Sequence, residues 1–172
     1  MSKKLKIAII GSRGYPYVYS GYETLVKELS ERLVKSGNEV TVYCHRKLFN
    51  VKPKKVNGIN LVYTPSVTSK VFSQLFNSFF SFIHVCFSKN DVVFVVNSAN
   101  GPFGLITKIL RKKIIIRIAN HPSASLRYFN KYPNYLIKLF IKIFFYRFAN
   151  GIICNSHSSR SYLNTYLKKN SI

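Results

Sequence analysis

The stretch KIAIIGSRGYPYVYSGYETLVKELSERLVKSGNEVTVYC, residues 6–44, decides the fold class of this 172-residue chain. Residues 5–10 form a short apolar run that stops at Gly11, which is typical of a strand buried on both faces of a parallel sheet. Residues 23–36 are predicted to form an amphipathic helix, because apolar side chains keep helical spacing and charged ones fall on the other side. EVTVYC, residues 39–44, is rich in β-branched residues and is predicted to be the second strand.

The alternation of strand and helix continues along the rest of the chain. Further strands are predicted over residues 58–63, 91–96, 113–119 and 151–154, and further helices over residues 67–88, 101–110, 133–149 and 156–167. The Lys-rich stretch between the second and third strands is interpreted as an exposed loop. We therefore predict an α/β fold, a single Rossmann-like domain with a parallel sheet of about six strands and helices on both faces.

The charge of the chain is strongly positive, with 27 Lys and Arg residues against 5 Asp and Glu, a net charge of +22. Such a balance attracts polyanions at low salt. A general bias in amino-acid usage would explain the many lysines but not the scarcity of acidic residues. A surface that binds anionic ligands therefore stays an alternative. A basic module for nucleic acid is a further alternative, but no helix-turn-helix, zinc finger or aromatic RNP-like motif supports it.

The cysteines predict neither a disulfide framework nor a metal site. Cys44, Cys86 and Cys154 are far apart, odd in number and close to the ends of apolar runs, which suits reduced, buried thiols. The apolar run near the N-terminus is too short for the core of a signal peptide. These features favour a cytoplasmic protein without a bound metal.

The first candidate site is the segment GSRGYPYVYSGYE, residues 11–23, since ligands bind beyond the carboxyl ends of the strands in open α/β sheets. Gly11, Gly14 and Gly21 let the backbone approach a ligand closely, and the following helix points its N-terminus at it. Arg13 adds a guanidinium suited to phosphate or carboxylate. The spacing matches neither a dinucleotide fingerprint nor a Walker A loop, so a turn that merely joins strand to helix explains it equally well.

Residues 6–44 also resemble the opening of retaining GT-B glycosyltransferases of family four. The resemblance is closest to the rhamnosyltransferase-like group that assembles bacterial surface polysaccharides. That group opens with a Gly-x-Arg-Gly-x-Pro turn, a Tyr-x-Gly-x-Glu segment and a Gly-His-x-Val-Thr-Val-Tyr-Cys strand. The matching residues are Gly11, Arg13, Gly14, Pro16, Tyr19, Gly21, Glu23, Gly37, Val40, Thr41, Val42, Tyr43 and Cys44, with Asn38 where the group has His. Weaker similarity continues through DVVFVVNSANGPFG to GIICNSHSSRSYL.

The resemblance implies that residues 1–172 are the acceptor-side, N-terminal domain of a glycosyltransferase. The transferred sugar and the donor phosphates would lie near the loop at residues 11–23. Substrate binding is expected of Gly11, Arg13, Gly14, Tyr19, Gly21, Tyr22 and Glu23. Glu23 would cap the helix or bond an acceptor hydroxyl. No cofactor is implied, and the nucleotide-sugar donor is expected only with a C-terminal domain.

A second candidate site follows the fifth strand, in IANHPSASLRYF. Many family-four enzymes place a His or an acidic residue near here, which makes His121 a candidate for touching the acceptor or the transferred sugar. A His before Pro122 is also commonly a turn residue bonded to backbone. The acidic, Trp-containing motif of the closest relatives is missing, while Arg127 corresponds to one of their basic residues.

Two helices raise the question of a membrane surface. Residues 67–88 are predicted to pack on the sheet or against a membrane, and their polar interruptions argue against a membrane span. In residues 135–149, Lys138, Lys142 and Arg147 form a basic stripe on an apolar helix, which suits either a core helix with a solvated edge or an anionic membrane interface. Because family members commonly use lipid-linked acceptors, the protein is expected to be cytoplasmic or peripheral on the inner face of the cell membrane.

Catalysis in this family needs a C-terminal domain whose glutamate-rich motif holds the nucleotide sugar, and nothing after Cys154 resembles that motif. The acids are not paired for glycosidase chemistry either. The chain is therefore expected to be a truncated half or one subunit of a split transferase, with a separate donor-binding glycosyltransferase subunit and a saccharide or lipid-linked acceptor as partners.

Overall fold

The computed structural model describes residues 4–16, 20–65, 72–97, 112–118, 149–158 and 160–161. In chain order its elements are β1 (Lys6–Ile10), α1 (Gly21–Lys35), β2 (Glu39–His45), a 3-10 helix (Arg46–Leu48), β3 (Lys55–Val56), β4 (Ile59–Thr64), α2 (Phe72–Phe87), β5 (Val92–Val95), β6 (Lys113–Ile118) and β7 (Gly151–Cys154). All six strands expected from the sequence are present, with ends shifted by at most one or two residues.

The described strands form one sheet in the order β3-β4-β2-β1-β5-β6-β7. All neighbouring strands are parallel except β3, which pairs antiparallel with β4. The predicted Rossmann-like parallel sheet is confirmed. The chain first extends the sheet from β1 to β2 and β4, then returns to the other side of β1 with β5. The strand order therefore reverses between β1 and β5, the position where such sheets open a crevice for ligands.

The interpretation of the Lys-rich stretch as a loop is wrong at its end, where β3 lies. Asn57 and Gly58 have φ values of 49° and 80°, and they connect Val56 to Ile59 in a two-residue hairpin. Asn-Gly is the dipeptide that such turns favour, because both central residues need positive φ. The hairpin signal was present in the sequence, and β3 adds a seventh, short edge strand.

The two described long helices cover opposite faces of the sheet. On one face, Val26 of α1 belongs to a buried cluster with Ile9 and Val42. On the other face, Phe82 and Val85 of α2 pack in a second buried cluster with the inward side chains of the central strands. This arrangement confirms helices on both faces. The helices predicted at residues 101–110 and 133–149 lie outside the described residues, as does most of the one at 156–167.

The apolar helix α2 is 16 residues long. In the described part of the chain, no helix is both long and apolar enough to cross a membrane. The side of α2 that faces the sheet carries buried polar groups near its start. The Asn77 amide donates to Thr64 Oγ1 at 2.6 Å and to the Cys44 carbonyl at 3.4 Å, which joins α2 to the ends of β2 and β4.

The three cysteines are reduced thiols, as expected, but only Cys44 is fully buried. Burial raises the pKa of the Cys44 thiol to about 12. Its sulfur is therefore protonated and unreactive near neutral pH. Cys86 and Cys154 are only partly buried, which corrects the expectation that all three lie in the core.

Candidate functional site

The loop after β1 lies at the carboxyl edge of the sheet, beside the reversal of strand order. Gly11 and Gly14 in this loop have φ values of 98° and 132°, a region that other residues rarely adopt. A Cβ on Gly14 would lie 2.8 Å from the Phe49 ring and 2.9 Å from Cys44 Cβ. The glycine therefore lets the loop pack directly against the end of β2.

Glu23 ties this loop to the start of α1. Ser20 is the N-cap residue, and its hydroxyl oxygen accepts a hydrogen bond from the Tyr22 amide at 3.4 Å. The buried Glu23 carboxylate accepts from the Ser20 hydroxyl through Oε2, and from the Arg13 backbone amide at 3.1 Å through Oε1. Both of its oxygens are thus used within the protein, where they join the N-cap residue of α1 to the loop after β1.

The backbone of Arg13 is held from two sides. Its amide donates to Glu23, while its carbonyl accepts from the His45 amide at 3.0 Å. The residue itself is exposed. Arg13 therefore combines a fixed backbone with an exposed, positively charged side chain. The residue lies at the carboxyl edge, close to the positive end of the α1 dipole.

Gly21 and Tyr22 form the first turn of α1, next to this loop. A Cβ on Gly21 would meet no atom within 4 Å, so the space around it is open. The Tyr22 ring lies 5.5 Å from the Arg117 guanidinium carbon of β6. Arg117 Nε also donates to Asn155 Oδ1, just beyond β7, at 3.0 Å. A second cation is therefore positioned at the same edge by stacking and a hydrogen bond.

Arg117, Asn155 and His45 were not predicted as site residues. All three lie at or next to the carboxyl end of a strand, which is the signal that would have selected them. The described residues bring Gly11, Arg13, Gly14, Gly21, Tyr22 and Glu23 together at this edge. Tyr19, His121 and Arg127 lie outside the described residues. Substrate binding by all of these residues stays a prediction.

His45 ends β2 beneath the Arg13 loop, with only 4% of its surface exposed. Its Nδ1 lies 3.5 Å from Ser73 Oγ at the start of α2, and Nε2 has no hydrogen-bond partner within the described part of the chain. Burial lowers the pKa of His45 to about 4, and the positive charge of Arg13 adds to this, while Glu23 opposes it. The imidazole is neutral near pH 7.

We expect His45 to make stability depend on pH. Its folded pKa of about 4 lies below the ordinary value of 6.5, so the unfolded chain binds the proton more readily. The free energy of unfolding therefore keeps its full value above about pH 6.5. It falls as the pH drops toward 4, by up to about 1.4 kcal/mol per pH unit. Urea unfolding between pH 7 and 4.5 measures this slope.

The variant His45→Gln should lose this part of the slope, because it removes the buried imidazole. His157→Gln, which removes an exposed imidazole, is the matched control and should unfold like the wild type at each pH. Equal slopes for His45→Gln and the wild type would contradict the expectation.

Within the described ranges, no group of three or more His, Cys, Asp or Glu side chains is arranged to hold a metal ion. The polar groups described at the edge are the Arg13 and Arg117 cations, amides, a neutral imidazole and the Glu23 carboxylate, whose two oxygens are bonded to Arg13 and Ser20. Such groups suit anions and hydroxyl groups as ligands.

Comparison with known structures identifies this fold as the N-terminal, Rossmann-like domain of GT-B glycosyltransferases. The model of Glycosyltransferase Family 4 matches residues 19–171, and the chain belongs to this family. The family predicted from residues 6–44 is therefore confirmed. No curated protein matches the chain significantly.

Three similar solved structures share the fold at low sequence identity. Sucrose-phosphate synthase from Thermosynechococcus elongatus is 14% identical with a TM-score of 0.72, and the match covers 98% of this chain and 47% of that one. Anabaena HepE in complex with UDP and glucose is 13% identical with a TM-score of 0.59, over 95% of this chain and 41% of that one. Arabidopsis thaliana UGT89C1 complexed with UDP-L-rhamnose is 14% identical with a TM-score of 0.56, over 97% and 47%. The chain thus spans less than half the length of these structures.

Proposed function

We propose that this chain is the acceptor-side domain of a glycosyltransferase that moves a hexosyl or rhamnosyl group from a nucleotide sugar to a saccharide or lipid-linked acceptor in polysaccharide biosynthesis. Membership of Glycosyltransferase Family 4 supports glycosyl transfer in general. Two of the similar structures contain UDP with glucose, or UDP-L-rhamnose, which supports a nucleotide sugar as the donor.

The observation that carries the proposal is the clamped Arg13 at the reversal of strand order. Its backbone is fixed by Glu23 and His45, and the residue is exposed at the carboxyl edge. An arginine on a fixed backbone binds an anionic group with less loss of conformational freedom than one on a mobile loop. The anionic group in this reaction class is the donor diphosphate, and Arg117 supplies further positive charge at the same edge.

A donor-binding unit completes the enzyme in this proposal, either in the same polypeptide or as a separate subunit. The support is that the chain matches less than half of each similar structure. The carboxyl edge described above would then form one wall of the cleft, and the second unit would form the other.

Arg13→Ala in the assembled enzyme is expected to lower kcat/KM for sugar transfer by about tenfold or more, because a charge-assisted contact to the donor is lost. The measurement is transfer of labelled sugar from a panel of nucleotide sugars to endogenous acceptor in membranes that contain the chain and its donor-binding unit. Arg13→Lys should give an intermediate loss, because it keeps the charge without the planar fork.

The matched control is Arg32→Ala, which removes an exposed guanidinium paired with Glu28 on the outer face of α1. Its activity should equal that of the wild type. If Arg13→Ala has the same kcat/KM as the wild type, Arg13 does not contact the donor. If the assembled enzyme transfers sugar from none of the nucleotide sugars, the proposed function is wrong.

A further inference from the structure

Four phenylalanine side chains lie exposed along the outer side of α2. Phe76, Phe79, Phe80 and Phe87 are 45%, 40%, 36% and 87% exposed, and we call them the phenylalanine face. Their spacing of three, one and seven residues places them on one side of the helix. The rings of Phe76 and Phe80 are 6.4 Å apart, and those of Phe79 and Phe80 are 5.5 Å apart, so three of the four form a continuous aromatic surface.

The opposite side of α2 packs on the sheet, so the helix cannot rotate to bury these rings. Asn77, Ser81, Phe82 and Val85 are fully buried against the sheet, and the first two join the hydrogen bonds around Thr64. The helix is therefore fixed in rotation by both apolar packing and polar bonds. Single exposed apolar residues are common on proteins, but a contiguous set of large ones marks a surface that contacts something apolar.

The five acidic residues of the chain all lie outside α2. Three of them, Glu23, Glu28 and Glu31, are on α1, which packs on the opposite face of the sheet. The other two, Glu39 and Asp91, lie at the amino edge, where they bond to Lys6.

Lysines border the end of the phenylalanine face. Lys89 is exposed two residues after Phe87. The Lys112 ammonium donates to the carbonyls of Ser88 and Asn90, which places a second lysine at the same end of α2. Lys113 is exposed next to it. Asp91 is the one carboxylate at this end of α2, and it accepts a hydrogen bond from the Lys6 amide. An aromatic surface with more lysines than carboxylates at its border has the chemistry that an anionic lipid surface complements.

We propose that α2 lies in the plane of an anionic bilayer and binds it through the phenylalanine face. The contact is made at the boundary between the headgroups and the acyl chains. The four rings enter the apolar boundary, and Lys89, Lys112 and Lys113 meet the headgroups. The first turn of α2 reaches the carboxyl edge through Ser73 and His45, so docking holds that edge at the level of the headgroups. The proposal does not depend on the proposed transferase activity.

Vesicle sedimentation with the 172-residue chain tests the docking. Binding is expected to vesicles of phosphatidylcholine with phosphatidylglycerol, and to be weaker by about tenfold or more with phosphatidylcholine alone. The variant Phe80→Ser/Phe87→Ser should bind the anionic vesicles about tenfold more weakly, because two rings no longer enter the boundary. Lys89→Glu should weaken binding several-fold, whereas Lys52→Glu, an exposed site away from α2, should not.

The matched control for the rings is Leu48→Ser/Val51→Ser. These side chains are 43% and 77% exposed and lie between β2 and β3, off the phenylalanine face. This control should bind vesicles like the wild type. Equal binding by the phenylalanine and control variants, or no binding to anionic vesicles, would overturn the proposal.

A second measurement does not rely on loss of binding. The chain contains no tryptophan, so Phe87→Trp introduces a single fluorescent probe. Anionic vesicles should shift its emission to shorter wavelength, and brominated lipids should quench it, while Leu48→Trp should show neither effect. A blue-shifted Phe87→Trp emission without lipid, together with dimers in analytical ultracentrifugation, would assign the face to a second copy of the chain and overturn lipid docking.

Discussion

Gly14→Ala is expected to lower the free energy of unfolding by roughly 4 kcal/mol. The backbone at Gly14 has a φ of 132°, which an L side chain adopts only with strain. The added Cβ would also lie 2.8 Å from the Phe49 ring and 2.9 Å from Cys44 Cβ. The ring is able to move, but Cys44 Cβ is fixed to the buried end of β2, so the loop itself must shift. Thermal or urea unfolding of the variant measures the loss.

Gly21→Ala is the matched control for this experiment. Gly21 is the first residue of α1, and a Cβ there would meet no atom within 4 Å. Alanine at this position should be neutral or stabilise by several tenths of a kcal/mol, roughly, because it restricts the unfolded chain. Adding Phe49→Ala to Gly14→Ala should relieve the ring contact and leave the backbone strain. A Gly14→Ala variant as stable as Gly21→Ala would show that the loop is free to rearrange.

Glu23→Ala is expected to cost roughly 3 kcal/mol of stability. The carboxylate is 3% exposed and accepts hydrogen bonds from the Arg13 amide and the Ser20 hydroxyl. Alanine leaves both donors without their acceptor in a buried position and removes a negative charge from the first turn of α1. Urea unfolding at pH 7 gives the difference. Glu23→Gln should lose less, because its amide oxygen still accepts one of the two bonds.

The control for Glu23 is Glu28→Ala on the same helix. The Glu28 side chain is 55% exposed and pairs only at the surface, with Lys27 at 3.9 Å and Arg32 at 3.8 Å. Its loss should change stability by less than about 0.5 kcal/mol. If Glu23→Ala were as stable as Glu28→Ala, the clamp on Arg13 would contribute nothing to the fold.

The strands and the first helix were predictable because each is encoded by its own short segment. Apolar runs such as residues 113–118 fit strands buried on both faces, and the turn residues between them mark the ends. The parallel arrangement of the strands follows from their alternation with helices, whereas their order, which reverses between β1 and β5, was not predicted. Only β3 was missed among the described strands, because the positive charge of its surroundings outweighed the Asn-Gly turn signal.

The site was less predictable, since its geometry depends on contacts between distant segments. His45 ends β2, but its contacts with Ser73 of α2 and with the Arg13 loop come from distant parts of the chain. Arg117 lies near the end of β6, which is a local feature, but its contacts with Tyr22 and Asn155 join segments that are far apart in the chain. A local pattern does not contain such contacts. The glycines and Glu23 were found because a turn and a helix cap are themselves local features.

The position of β1 has a consequence for how the protein is made. Among the described strands β1 is synthesised first, yet in the folded sheet it lies at the centre, between β2 and β5. While the chain leaves the ribosome, β1 can pair with β2 and receive α1, but its other edge stays open until β5 has emerged. That edge consists of the backbone N–H and C=O groups of Ile7, Ala8, Ile9 and Ile10, the register partners of β5. A nascent half-sheet with apolar faces and an unpaired backbone edge is a substrate for chaperones and a starting point for aggregation. The rate of translation through residues 65–95 should therefore influence the yield of native protein.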